Sequence, residues 1–191
     1  MLLFVEGGGV CRVSTVFPCS ASFRRADKAR CACKVIFKPE MHKTNSIIMR
    51  APKMSIFETA ANLELWPRIL PHYRYIRYLE RSPDRNVVVM AATRAGIPIS
   101  WTSEQIIDRE KIEIHFHHLK AFTKGMRVVW RFQESTTGVL VEIEHDLKFR
   151  MNLLAAIADK IIGDFFIHNI ANKTLRCMKT YVETMANKAT A

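Results

Sequence analysis

Six segments between His72 and Arg150 read as strands, and where their faces are clearest the apolar residues fall on every second position. A period of two sends alternate side chains to opposite faces of a sheet. In 126–134, Met126, Val128, Trp130 and Phe132 alternate with Arg127 and Arg131; in 139–150, Val139, Val141, Ile143, His145, Leu147 and Phe149 alternate with a mostly charged set. In 111–120, Ile112, Ile114, Phe116 and His118 oppose Lys111, Glu113, His115 and His117. The connections are short: Ser82-Pro83-Asp84, Gly96 and Ser135-Thr136-Thr137-Gly138 mark turns after 72–81, 86–94 and 126–134, while 97–109 runs almost directly into 111–120. Parallel pairs need long crossovers, so this series predicts an antiparallel meander. Such a sheet is apolar on one face, and something must cover that face.

The cover predicted from the sequence is the last segment. From Leu153 to Thr184 apolar residues recur at helical spacing: Leu154, Ile157, Ile161, Phe165, then Ala171, Leu175, Met178 and Val182. At 1.5 Å per residue that helix reaches roughly 45 Å, enough to cross a twisted sheet. Ahead of the meander stand a short strand over 44–50, a helix over 53–62 entered through Pro52, and a second short helix over 63–70 broken by Pro67 and closed by Pro71. The expected class is α+β: a curved antiparallel sheet wrapped on a long C-terminal helix, with two short helices after the first strand.

The patterned body spans 43–186, followed by a short tail at 187–191. Residues 1–42 show no sustained period. They read either as a disordered or transit-like leader or as sequence upstream of a true start at Met41. That stretch carries seven basic residues against three acidic ones, four of the net charge of +11; the rest is spread over the body. The basic balance makes an anionic lipid surface or a ribosome a conceivable partner, while no DNA partner is expected. Four of the five cysteines (Cys11, Cys19, Cys31, Cys33) lie in the leader and Cys177 alone in the body, so the body forms no internal disulfide. That usage fits a reducing, cytoplasmic setting. The most apolar long stretch, Leu153 to Ala171, contains Asp159, Lys160, Asp164 and His168, which argues against a membrane span.

The order of these elements resembles the helix-grip fold of the START-like (SRPBCC) superfamily. The chain is most similar to its polyketide cyclase/dehydrase and lipid-transport group, which includes coenzyme Q-binding START proteins and ribosome-association toxin proteins. The residues that carry the resemblance are Ile48-Met49-Arg50-Ala51-Pro52 with Ile56-Phe57, the segment Asn62 to His72 with its Trp66-Pro67 and Leu70-Pro71 pairs, and Trp130-Arg131-Phe132 with Gly138 and the strand after it. The resemblance implies an elongated cavity between sheet and helix, holding a hydrophobic or amphipathic small molecule such as a quinone, isoprenoid or polyketide.

A few polar groups suffice to orient a guest in such a cavity. On the long strand Trp101 and Gln105 share the less polar face. His118 and His145 sit on apolar strand faces, and His168 lies three residues after Phe165 on the helix. With Trp66, Phe116 and Trp130 these make the candidate cavity set. His115 and His117 face outward with Glu113 beside them and lack a full metal-ligand set, so no metal or other cofactor is expected. Gly-x-Ser-x-Gly, phosphate-binding glycine loops and His-Glu-x-x-His are absent from the sequence. A non-catalytic binder or carrier is the first reading. An aromatase/cyclase-like enzyme using a buried His or Gln is the second, and a ribosome-associated or membrane-peripheral protein the third.

Overall fold

The computed structural model describes residues 40–94, 96–121, 123–148 and 168–190. Seven strands form one antiparallel sheet: β1 (Glu40–Met49), β2 (Tyr73–Arg81), β3 (Arg85–Arg94), β4 (Ile97–Asp108), β5 (Glu113–Lys120), β6 (Arg127–Ser135) and β7 (Gly138–Lys148). Their spatial order is β1-β7-β6-β5-β4-β3-β2, so the meander is continuous and β1 closes onto the last strand. Three helices complete the described elements: α1 (Lys53–Ala61), α2 (Trp66–Ile69) and α3 (His168–Thr190).

β1 begins at Glu40, earlier than the sequence suggests, because Met41 already turns into the core and Thr44 to Met49 merely continue its alternation. The second helix shortens to one turn, since Asn62 to Leu65 form turns ahead of Trp66. The first half of the long helix, 153–167, lies outside the described residues.

The alternation holds strand by strand. Ile114 and Phe116, then Val128, Trp130 and Phe132, then Val139, Val141, Ile143 and Leu147 are buried on one face. α3 lays Ala171, Leu175, Met178 and Val182 against them, the same stripe that the sequence marks. α1 adds Ile56, Phe57 and Ala60, and the Phe57 ring meets Phe132 edge to face at 5.6 Å. Burial of this apolar set is the main stabilising contribution, on the order of 1.5–3 kcal/mol per large side chain.

Charges cross the outer face in rows. Glu104 takes Arg85 at 2.6 Å and His117 at 3.5 Å; Glu113 takes His115 and Arg131, each at 3.2 Å, and Arg131 also reaches Glu144. On the face away from the core, His117 thus meets Glu104 across strands, while His115 meets Glu113 two residues back on its own strand. No described helix is long and apolar enough to cross a membrane.

The end of α3 nearer the C-terminus is clasped to β1. Lys179 Nζ donates to the Ile48 carbonyl at 2.6 Å and pairs with Glu183, which accepts the Arg50 backbone N–H at 2.7 Å.

Candidate functional site

Beneath the first described turns of α3, the packing leaves a cavity. Counted by where the centre of a water molecule can lie, it is about 80 Å³, inside about 620 Å³ of atom-free space that includes its mouth. One buried water needs roughly 10–15 Å³ on the first measure, so the space exceeds a single-water defect. It sits at the end of the sheet formed by the β3–β4 and β5–β6 turns, beneath Ile170, Ala171 and Thr174 of α3.

The inward alternation of four strands supplies its walls. β4 contributes Trp101, β5 Phe116 and His118, β6 Val128 and Trp130, and β7 Ile143 and His145. Met90 from β3, Tyr73 from β2, Trp66 from α2, Met126 and Thr123 from the β5–β6 turn, and Ile170, Ala171 and Thr174 from α3 close it. The aromatic rings brace one another: Trp66 lies 5.2 Å from Tyr73, 6.0 Å from Phe116 and 5.8 Å from Trp130, and its Nε1 donates to the Ala60 carbonyl at 3.2 Å. Trp66 is thereby locked, which explains why one turn of α2 can serve as a wall.

The polar groups gather at the turn end. The His118 imidazole stacks on Trp101 at 5.8 Å with 19° between planes, and its Nδ1 is hydrogen-bonded to the Thr123 hydroxyl at 2.7 Å. The backbone holds this turn in place, with His118 N–H donating to the Met126 carbonyl and Gly125 N–H to the His118 carbonyl, both at 2.9 Å. Burial pushes the His118 imidazole down to about 3, helped by the nearby His145 and His117 rings. His145 is pushed down to about 4, again by burial, against smaller upward pulls from the Lys43 backbone and Asp146. Both rings are neutral at pH 7. Two buried nitrogens facing this region, Trp101 Nε1 and His145 Nδ1, lack a well-formed hydrogen bond.

A second polar cluster stands beside the first. His72 Nε2 and the Thr174 hydroxyl lie 2.9 Å apart, and burial lowers the His72 imidazole to about 4, with the charge of Lys173 adding to the effect. Burial also raises the Tyr73 hydroxyl well above its ordinary range, only partly offset by its hydrogen bond with Thr174.

Six of the nine residues that the sequence nominates come together in this wall: Trp66, Trp101, Phe116, His118, Trp130 and His145. Gln105 is not among the lining residues, which corrects its assignment. Its side chain faces inward but both ends are occupied, Nε2 donating to the Ala61 carbonyl and Oε1 accepting from Asn86 Nδ2, each at 2.9 Å. This fully buried peg ties β3 and β4 to the end of α1. Replacing Gln105 by Leu strands two buried partners and is expected to cost about 1–3 kcal/mol by chemical denaturation, with guest affinity unchanged. Phe165 lies outside the described residues, and His168 is placed only as the first residue of α3. Tyr73, Thr123 and Thr174 are wall residues that the sequence reading does not single out, with His72 beside them. Thr174 had a signal, since it falls on the buried stripe between Ala171 and Leu175.

A curved antiparallel sheet gripping a C-terminal helix, with an apolar cavity between them, defines the helix-grip class. The family described as polyketide cyclase / dehydrase and lipid transport matches residues 49–174, and the chain belongs to that family. A protein of Streptomyces halstedii named as a candidate polyketide cyclase is 28% identical over 103 residues, covering 52% of this chain and 94% of the relative. Among solved structures, the Zhui aromatase/cyclase from Streptomyces sp. R1128 superposes with a TM-score of 0.67 at 19% identity, covering 75% of this chain and 94% of that one. The ginseng major latex-like protein 151 from Panax ginseng gives 0.61 at 11% identity, over 75% and 98% of the two chains. At these identities the structural likenesses concern the fold.

Proposed function

We propose that the cavity binds a hydrophobic, ring-bearing small molecule and holds it without changing it covalently. The observation that carries this reading is a space larger than one water, walled by braced aromatic rings and bordered by the buried Trp101 indole N–H, which has no hydrogen-bond partner. Apolar walls supply affinity by removing guest surface from water, and a few fixed polar groups supply orientation. The family's breadth, from cyclases to lipid transport, is compatible with both holding and transforming such a guest.

The second reading is a cyclase/dehydratase-type reaction on a polyketide-like substrate. The relatives named as cyclases favour it, as does the placement of His118 and His145 in one wall. Against it stands the low basicity of both imidazoles. A general base works best with a pKa near the operating pH, and these rings lie several units below. Contact with a membrane surface or a ribosome has only the net charge of +11 behind it.

The test is to purify the full chain from its native host, extract it and analyse the released small molecules by mass spectrometry. An apolar ring compound released in near-stoichiometric amount supports binding, and its unchanged mass after prolonged incubation supports holding over catalysis. Conversion of an added poly-β-ketone, lost in His118→Ala or His145→Ala variants that still fold, would favour the second reading. Repeated extraction of nothing apolar, with no displacement of a fluorescent hydrophobic probe, would refute both.

A further inference from the structure

Among the described residues, one edge of the sheet is capped by α3 and the other has no neighbour. On β1, Lys179 Nζ takes the Ile48 carbonyl, and Glu183 takes the Arg50 N–H just beyond the strand. β2 stands at the opposite end of the strand order and pairs with β3 alone. The outward N–H and C=O groups of such an edge are a template for one more strand.

Edges are commonly blunted by charge, yet β2 also exposes two large apolar side chains, Tyr75 at 45% and Leu79 at 52%. They alternate with the exposed Arg74, Arg77 and Glu80. Pairing with β3 fixes the faces. Ile76 and Tyr78 lie opposite Met90 and Val88 and turn inward, while Tyr75 and Arg77 lie opposite Ala91 and Val89 and turn outward.

A second copy of β2, laid antiparallel across a two-fold axis, must match inward residues with inward and outward with outward. Centred on Arg77, the pairing sets Ile76 opposite Tyr78 of the second copy and so keeps the faces. It also sets Tyr75 opposite Leu79 and Arg74 opposite Glu80, each contact occurring twice by symmetry. Moving the centre to Ile76 or to Tyr78 joins no residues of opposite charge within β2. The adverse pair in the favoured register is Arg77 with its own copy on the axis. Bulges between Tyr73 and Tyr75 and between Tyr78 and Glu80 bend the strand near both ends and keep the pairing short. An interface of that length belongs with weak, concentration-dependent dimers.

We infer that β2 is a homodimerisation edge, through which two copies of this chain join their sheets by antiparallel β2 strands centred on Arg77. The pairing does not depend on what the cavity holds.

The test is sedimentation velocity of the full chain from about 5 µM to about 500 µM, a span that brackets weak self-association. A monomer that gives way to a dimer as concentration rises is expected. Amides of β2 that point away from β3 should exchange at least about tenfold more slowly at the high concentration than at the low one. Arg74→Glu places like charges at both outer pairs, and Glu80→Arg does the same with the opposite sign. Each alone should weaken the dimer about tenfold, and the double exchange should restore it to within about threefold. Arg77→Thr, which removes the like-charge pair on the axis, should tighten it. A chain that stays monomeric throughout, or exchange protection that appears away from β2, would overturn the inference. So would a dimer indifferent to both single reversals, a double exchange no better than the singles, or an Arg77→Thr dimer no tighter than the parent.

Discussion

Replacing Phe57 by Ala is expected to remove about 3–5 kcal/mol of unfolding free energy, the range measured for large aromatic deletions in packed cores. Phe57 is fully buried on α1, meets Phe132 on β6 at 89° between ring planes, and has the Arg109 guanidinium 6.0 Å from its ring centre. Nothing small can collapse into that space without moving α1 off the sheet. Domains of this size have only about 5–15 kcal/mol in total, so the variant should unfold at a much lower urea concentration and melt roughly 10 °C or more earlier. Phe57 is not a lining residue of the cavity, so guest affinity measured well below the new melting point should not change. A loss under about 1 kcal/mol would mean that α1 contributes little to the core and that the packing of α1 on β6 is misdescribed.

Stability should also fall steeply between pH 7 and pH 5, ahead of ordinary acid denaturation. In the unfolded chain His72, His118 and His145 protonate near 6.5, whereas in the fold they are held down to about 4, about 3 and about 4. Between those values the unfolded chain binds more protons than the native one, so stability rises with pH across the window. It is complete above the unfolded value and drains away as pH drops towards the folded values. At pH 5 each neutral imidazole costs about 2 kcal/mol, and the three together on the order of 6 kcal/mol. Several groups face these rings: Lys173 near His72, His117 and His145 near His118, and Asp146 near His145. Only Asp146 is acidic, and its pull on His145 is smaller than the burial effect. Carboxylates such as Asp108, held below its usual range by the Lys111 backbone N–H, protonate lower still, so the interval isolates the imidazoles. Urea titrations at pH 7, 6 and 5 give the slope. His145→Gln should flatten it by about one proton, roughly 1.4 kcal/mol per pH unit at full effect. A flat line from pH 7 to 5 would show the three rings to be hydrated and ordinary.

The same rings illustrate what a sequence of this kind discloses. His118 and His145 could be assigned to the inner face because a strand's period of two leaves no freedom once Phe116 or Ile143 is known to face inward. Trp101 and Gln105 follow by the same parity, yet only one of them borders the cavity. Parity gives the face, while use depends on partners far away in sequence. The partners of Gln105 are Asn86 and the Ala61 carbonyl, and no local pattern announces that meeting. Tyr73, which opens β2, and His72 just before it carry no such signal as cavity residues, because they follow Pro71 where the alternation has not yet begun and because their partner Thr174 comes from the far end of the chain. The stripe on α3 was legible from Ala171 to Val182 because helical spacing is as strict as strand parity over three turns.

Two of the surfaces that bound the cavity are methionines, Met90 and Met126, each almost wholly buried. A thioether chain is unbranched and turns about three bonds with little penalty, unlike the rings around it. The chamber therefore mixes stiff rings with yielding thioethers, Met90 sitting directly beside Trp101 in the β3–β4 register. Under the proposed binding function, a longer guest would be admitted by re-seating the sulfur-bearing side chains while the rings keep their orientation. Under the same reading, relatives that exchange those two positions for branched or smaller residues should differ in the length of guest they take.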